Sequence, residues 1–294
     1  MVRNMKCNNS YSVPRNYIEV KKIETIQSLL YKLFSEFHDI CENNGLVYNA
    51  FGGTLLGAVR HGGIIPWDDD IDVGMPRPEY EKLIKLIKQD KSGRYDLLVF
   101  PDKGYVYPFA KFCFRDTLLI EKLRPEYSKI KLFIDIFPID GYPDKEEKQY
   151  FARFTKLKYG LCRCVYPVEA SPVLVKKIAY PIKLLISLYY RTYGTKYFIE
   201  NEIKLSKKYD YTESEYILCM GGGWKEKGKL LRSIYENRRL YPFGSYRIWG
   251  IADYNEHLSR LYGDYMTLPE KEKQISNHDY KLYVDKVLLE EIDS

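Results

Sequence analysis

Phe51-Gly52-Gly53-Thr54-Leu55-Leu56-Gly57-Ala58-Val59-Arg60-His61-Gly62-Gly63-Ile64-Ile65-Pro66-Trp67-Asp68-Asp69-Asp70-Ile71-Asp72-Val73 is the stretch that decides the fold. Its two ends carry different signals. Leading into it, Leu46-Val47-Tyr48-Asn49-Ala50-Phe51 reads as a short strand running into Gly52-Gly53, and Thr54 to Arg60 reads as a helix leaving that turn. A glycine turn that opens a helix lets bare backbone N–H groups approach a phosphate. At the other end, acidic and β-branched residues alternate through Asp70-Ile71-Asp72-Val73, as in a strand. Residues i and i+2 of a strand share a face, so Asp70 and Asp72 are expected to project together, about 7 Å apart. Two like charges held in this way are unfavourable without a cation between them. Oxygen-only ligands suit Mg²⁺ or Mn²⁺.

Working outward, Ile23, Ile26, Leu30, Leu33, Phe34, Phe37 and Cys41 recur at helical spacing, predicting a helix from about Asn16 to Glu42 that stops at Asn44-Gly45. Pro78 suits the first turn of a further helix, in which Tyr80, Leu83, Ile84 and Ile87 form the apolar face. Strands are expected at Tyr95–Phe100, Phe109–Phe114 and Lys131–Phe137. The last contains a lone acid in an apolar run, Leu132-Phe133-Ile134-Asp135-Ile136-Phe137. An ionised Asp135 would be costly to bury there unless it completed the same cation site, so it is the candidate third carboxylate. Beyond Asp144 the pattern turns helical, over about 145–164, 173–193, 196–209 and 254–262. The expected class is α+β: a core over residues 1–143 and a mainly helical region over 144–294, packed together because no flexible linker separates them.

Composition narrows the function. With 45% hydrophobic and 29% charged residues in 294, the chain has the balance of a soluble globular protein, which excludes disorder, collagen and coiled coil. A net charge of +6 suits anionic small ligands or an acidic membrane surface, and is too weak to argue for nucleic acid. The 29 tyrosines either fill half-buried faces or offer aromatic contacts to sugars, nucleobases or quaternary ammonium groups. Cys7, Cys41, Cys113, Cys162, Cys164 and Cys219 form no paired C-x-x-C pattern, and the four histidines lack zinc spacing, so most cysteines read as core thiols in a reducing compartment. No signal-peptide run follows Met1, and Val173 to Tyr190 is broken by Lys176, Lys177, Pro181 and Lys183. The expected location is therefore cytoplasmic. A calcium loop counted from Asp68 places Asp70, Asp72 and Glu79 correctly, but puts Val73 where glycine is required, with Pro76 and Pro78 against the helix that should follow.

The quoted stretch strongly resembles the signature of the LicD family, phosphotransferases related to fukutin and the fukutin-related protein. Tyr107-Pro108-Phe109-Ala110-Lys111, Ile134-Asp135-Ile136-Phe137-Pro138-Ile139-Asp140-Gly141 and Leu261-Tyr262-Gly263-Asp264-Tyr265-Met266-Thr267-Leu268-Pro269 resemble further pieces of the family in the expected order, spanning about residues 25 to 275. The match is weak from about 145 to 245. Ile251 stands where the family often has proline. The resemblance implies a nucleotidyltransferase-like fold and transfer of phosphocholine, or a related phospho-alcohol, from a CDP-linked donor to a sugar hydroxyl of a cell-surface glycan.

Carried over by residue, Gly52, Gly53 and Thr54 would hold donor phosphate, Asp70 and Asp72 would bind Mg²⁺, and Asp135 would be the third carboxylate and the candidate base. Arg60 offers a guanidinium fork to the diphosphate. Lys111 either reaches donor phosphate or guards an exposed sheet edge. Trp67 either stacks on cytosine or choline or anchors its loop. His61 reads more simply as a turn residue, Asp68 and Asp69 as loop-positioning acids, and Asp264 and His278 receive no role. CDP-choline is the favoured donor, with CDP-ribitol, CDP-glycerol and CDP-ethanolamine open, and the acceptor is a glycan or lipid-linked oligosaccharide. The apolar and Lys-bearing stretch from Val173 to Tyr190 reads first as a core helix and second as an interfacial helix on anionic lipid at the inner face of the membrane. The alternatives are a nucleotidyltransferase of the same fold and a noncatalytic glycan- or calcium-binding module.

Overall fold

In the computed structural model, which describes residues 13–89, 94–121, 129–168, 180–221, 223–276 and 278–293, the stretch from Phe51 to Val73 connects neighbouring strands of one mixed sheet. The chain enters through β1 (Tyr17–Val20) and α1 (Ile23–Asn43). The helix expected from Asn16 therefore starts later. The alternating Tyr17-Ile18-Glu19-Val20 pairs instead with a strand from the far end of the chain, and Lys21-Lys22 separates it from the helix. One face of α1 buries Leu29, Leu30, Leu33, Phe34 and Phe37, and the helix ends at Asn44 before Gly45, whose φ of 60° suits glycine.

Next come β2 (Asn49–Ala50), α2 (Gly52–Arg60), β3 (Asp72–Pro76) and α3 (Arg77–Gln89). Two expectations change here. The strand before the glycines shrinks to two residues, and β3 begins at Asp72, so Asp70 reaches the site from the segment before the strand rather than from within it. Then follow β4 (Tyr95–Leu98), β5 (Ala110–Phe114), β6 (Thr117–Glu121), β7 (Lys129–Ile130) and β8 (Phe133–Gly141). The later half opens on helices: α4 (Glu147–Val165), α5 (Tyr180–Arg191) and α6 (Gly194–Ser206) form a layer. Residues 173–179 of the helix expected over 173–193, and Cys7, lie outside the described residues. Short elements that periodicity did not announce come after: β9 (Tyr216–Leu218), β10 (Leu230–Leu231), α7 (Arg232–Glu236), β11 (Arg238–Phe243) and β12 (Tyr246–Ile251). The chain closes with α8 (Tyr254–Tyr262), β13 (Tyr280–Asp285) and α9 (Lys286–Asp293).

The main sheet runs β4-β5-β8-β3-β2, and β9 and β10 continue it from the far end of β8. β3 and β8 are parallel, whereas β5 is antiparallel to β8. A second sheet, β1-β13-β6-β7, joins both ends of the chain. β11 and β12 form a hairpin with a two-residue loop, in which Gly244 takes φ 62°. The α4–α6 layer docks through its own apolar clusters, with Tyr150, Phe151 and Phe154 against Tyr142 and Leu218, and Leu161, Val165 and Phe198 against Val106. Ser187 ties α5 to α4 by donating to the Arg163 carbonyl at 2.8 Å. Cys41, Cys113, Cys164 and Cys219 are buried and form no disulfide. Among the described residues no helix is long and apolar enough to cross a membrane.

Candidate active site

Strand register builds the centre of the site. Asp72 on β3 and Lys111 on β5 are the two lateral partners of Asp135 on β8, so the three side chains form one row across adjacent strands. Lys111 is 3% exposed and its Nζ donates to Asp135 Oδ1 at 2.5 Å, with the Phe133 ring centroid 3.3 Å away and that of Tyr107 4.6 Å away. β5 lies inside the sheet, so Lys111 is a buried counter-charge and not an edge guard. The Ile71 carbonyl accepts from the Asp135 N–H at 2.9 Å, which extends the strand contact to the residue beside Asp70.

The glycine turn faces this row. Gly52 has φ 52°, and a Cβ built on it would lie 3.8 Å from Asp72 Oδ2 and 3.5 Å from the Tyr262 hydroxyl. A Cβ on Gly53 would lie 3.3 Å from Asp68 Oδ2. Side chains here would fill the space between the N-terminus of α2 and the acids, where an anion would sit. Thr54 is buried, and its hydroxyl accepts from the Asp72 N–H at 2.8 Å, fixing α2 to β3.

Negative charge exceeds positive charge in this cleft. Burial, then Asp70 and Asp135, push the Asp72 carboxyl well above the usual carboxylate range. Burial also raises Asp70, which His278 opposes, and raises Asp135 against the pull of Lys111. Asp68 is pushed up to about 7 by burial and by Asp70, to which it is hydrogen-bonded. His278 Nδ1 lies 2.8 Å from Asp69 Oδ1 and its Nε2 lies 3.7 Å from Asp70 Oδ2. The hydrogen bond to Asp69 and the neighbouring acids push the imidazole up to about 9. Burial and these carboxylates also raise the Tyr262 and Tyr280 hydroxyls.

This donor set fits a hard divalent cation. The carboxylates of Asp68, Asp70 and Asp72 are all raised, first by burial and then by neighbouring acids (Asp70 and Asp69 for Asp68, Asp135 and Asp69 for Asp70, Asp70 and Asp135 for Asp72), the condition that a cation relieves. Among the described residues no three His, Cys, Asp or Glu side chains are grouped so as to hold a metal ion by themselves. Mg²⁺ in phosphoryl-transfer sites commonly takes one or two carboxylates and completes its shell from water and substrate phosphate, so an open arrangement suits it.

Other expected residues have different partners. Arg60 Nη1 donates to the Tyr265 carbonyl at 2.6 Å and Nε donates to His61 Nε2 at 3.0 Å, joining α2 to the segment after α8. Trp67 packs on the core, and the His61 ring meets it edge-on at 5.9 Å. Glu79, the twelfth position of the calcium-loop count, bonds Lys82 at 2.7 Å. Asp264 accepts from Thr267 in an exposed turn. The structure brings Gly52, Gly53, Asp70, Asp72, Lys111 and Asp135 together, and adds Tyr262, His278 and Tyr280. Of these three, Tyr262 and His278 lie in regions that resemble the family, the latter with no role read from the sequence, and Tyr280 opens β13, whose pairing with β6 joins distant parts of the chain.

Comparisons with known proteins agree in kind. A family model described as LicD/FKTN/FKRP, nucleotidyltransferase domain, matches residues 45–173. Lipopolysaccharide cholinephosphotransferase LicD of Haemophilus influenzae is 32% identical over 269 residues, which cover 88% of this chain and 96% of that protein. Ribitol 5-phosphate transferase FKRP of Homo sapiens is 32% identical over 105 residues, 35% of this chain and 18% of that protein.

Proposed function

The chain belongs to the LicD family of transferases, and from that premise we propose that it moves phosphocholine, or a related phospho-alcohol, from a CDP-linked donor to a sugar hydroxyl of a glycan. The observation that carries this reading is the row Asp72–Asp135–Lys111 set opposite the Gly52-Gly53 turn. Phosphoryl transfer asks the protein mainly to position groups and neutralise charge. In this reading the turn would receive the donor diphosphate, and Asp70 and Asp72 would hold Mg²⁺ with Asp135 beside them. The bound ion would offset the diphosphate charge and stabilise departing CMP. Lys111 fixes one oxygen of Asp135, leaving Oδ2 to take the proton of the attacking hydroxyl. Burial raises the affinity of Asp135 for that proton, which favours a base. His278 orients the Asp69–Asp70 segment.

The acceptor side is assigned to the α4–α6 layer. A groove of about 450 Å³ there is lined by Arg153, Lys156, Tyr189, Tyr193, Tyr197 and Lys204, among others, offering rings for sugars and cations for phosphate. Beside it, α5 exposes Ile182, Leu185 and Leu188, which supports a resting place at the inner face of an anionic membrane. The test of the reaction is incubation with CDP-choline radiolabelled in the choline and a lipopolysaccharide acceptor. Label on the glycan with release of CMP supports transfer. An inert CDP-choline, with pyrophosphate released from a nucleoside triphosphate instead, would mark a nucleotidyltransferase.

A further inference from the structure

We propose that the cavity behind Tyr107 and Phe109 seats a cationic alkylammonium head group of the donor, with the Glu202 carboxylate as its counter-charge. The cavity measures about 210 Å³, and its walls include Tyr107, Phe109, Leu161, Tyr166, Glu202 and Gly221. Glu202 stands on α6, only 3% exposed, and its Oε2 is buried with no hydrogen-bond partner. A carboxylate left this way is costly unless a ligand answers it. Burial pushes the group up to about 7, and Lys158, also on the wall, opposes this less than burial drives it.

The chemistry of the walls selects the ligand. A quaternary ammonium donates no hydrogen bond, and it is recognised by a negative charge and the faces of aromatic rings. Glu202 supplies the carboxylate to these walls, and Tyr107, Phe109 and Tyr166 supply aromatic rings. A polyol head group would instead bring several hydroxyls to largely apolar walls. Gly221 lets this wall pack closely on the rings beside it: a Cβ there would lie 2.7 Å from Phe137 and 3.3 Å from Phe109. The position also suits a donor head group. Tyr107 and Phe109 flank the Lys111 ammonium at 4.6 and 5.4 Å, and Phe109 packs on Phe137, which packs on Phe51 immediately before the glycine turn. The inference deepens the proposed function and rests on its reading of a CDP-linked donor.

The test is equilibrium binding of CDP-choline and of its neutral isostere, in which carbon replaces the quaternary nitrogen. The wild-type protein is expected to favour CDP-choline by about tenfold or more. Glu202→Gln should bring the two ligands to near parity by weakening CDP-choline alone, with no loss of melting temperature. Cys162→Phe, which fills the cavity from a half-buried wall, should weaken both ligands. A Glu202→Gln protein that keeps the full preference, or a wild-type protein with none, overturns the assignment. If the preference is present and responds to Glu202→Gln but nothing is transferred, the pocket stands and the transfer reading falls. If phosphocholine is transferred without any such preference, the pocket falls and the transfer reading stands.

Discussion

β8 carries two buried acids, and they are answered in opposite ways. Asp140 receives a bidentate fork from Arg77, with Nε to Oδ1 at 2.7 Å and Nη2 to Oδ2 at 2.6 Å, and both side chains are almost sealed from solvent. Asp135 receives one bond from Lys111 and shares its surroundings with Asp70 and Asp72, both ionisable to the same sign. The first arrangement is complete in itself, with charge and hydrogen bonds matched, and it ties α3 to the sheet. The second is left over-supplied with negative charge beside an open glycine turn. Within one strand, a matched pair makes a structural joint, and an unmatched cluster is the candidate ligand site.

The largest effect that would sharpen this contrast is on turnover. Asp70→Asn and Asp72→Asn should each lower CMP release by about a thousandfold or more, while calorimetry finds the melting temperature unchanged or raised, because a buried like charge has gone. A collapse of stability with either variant would break the comparison. The reverse pattern is expected at the other end of β8. Asp140→Asn leaves the Arg77 charge buried without its partner, so urea unfolding should show a loss of about 3–5 kcal/mol, with turnover per folded molecule close to that of the wild type.

The smallest expected effect is on the pH dependence of stability. His278 is raised in the folded state to about 9, so the stability it contributes is fully present below its unfolded value near 6.5 and is lost as pH rises through 9. His257, lowered to about 4 by burial, is neutral in both states above 6.5 and adds no slope there. The melting temperature should therefore fall between pH 6.5 and 9, and His278→Gln should flatten that fall. Because the imidazole is 42% exposed, the change should be only about a degree or two. A fall of the same size in His278→Gln would assign it to other groups.

The centre of the site was legible in the sequence, because its signals are local. The i, i+2 spacing of Asp70 and Asp72, the paired glycines and a lone acid within Phe133-Ile134-Asp135-Ile136-Phe137 each stand out within a few residues. The expected strand placed both aspartates on one face, whereas only Asp72 lies in β3. A strand boundary depends on which neighbour it finds, and that information is not local. The same reason hid the partners of these residues. Lys111 meets Asp135 only through the β5–β8 register, and Arg77 meets Asp140 only once β3 and β8 lie parallel. His278 arrives from a segment joined to the rest by β13, and Glu202 occupies a helical position where nothing nearby in the sequence distinguishes it from a solvated acid.

The central claim is that the acids at the Asp135 end of β8 hold a divalent ion against a nucleotide diphosphate. Titration calorimetry of CDP-choline into the wild-type protein and into Asp72→Asn, each with and without Mg²⁺, tests it most directly. The account predicts binding to the wild type that depends on Mg²⁺ and is lost in the variant. Binding of equal strength without the metal, or undiminished by Asp72→Asn, would contradict it.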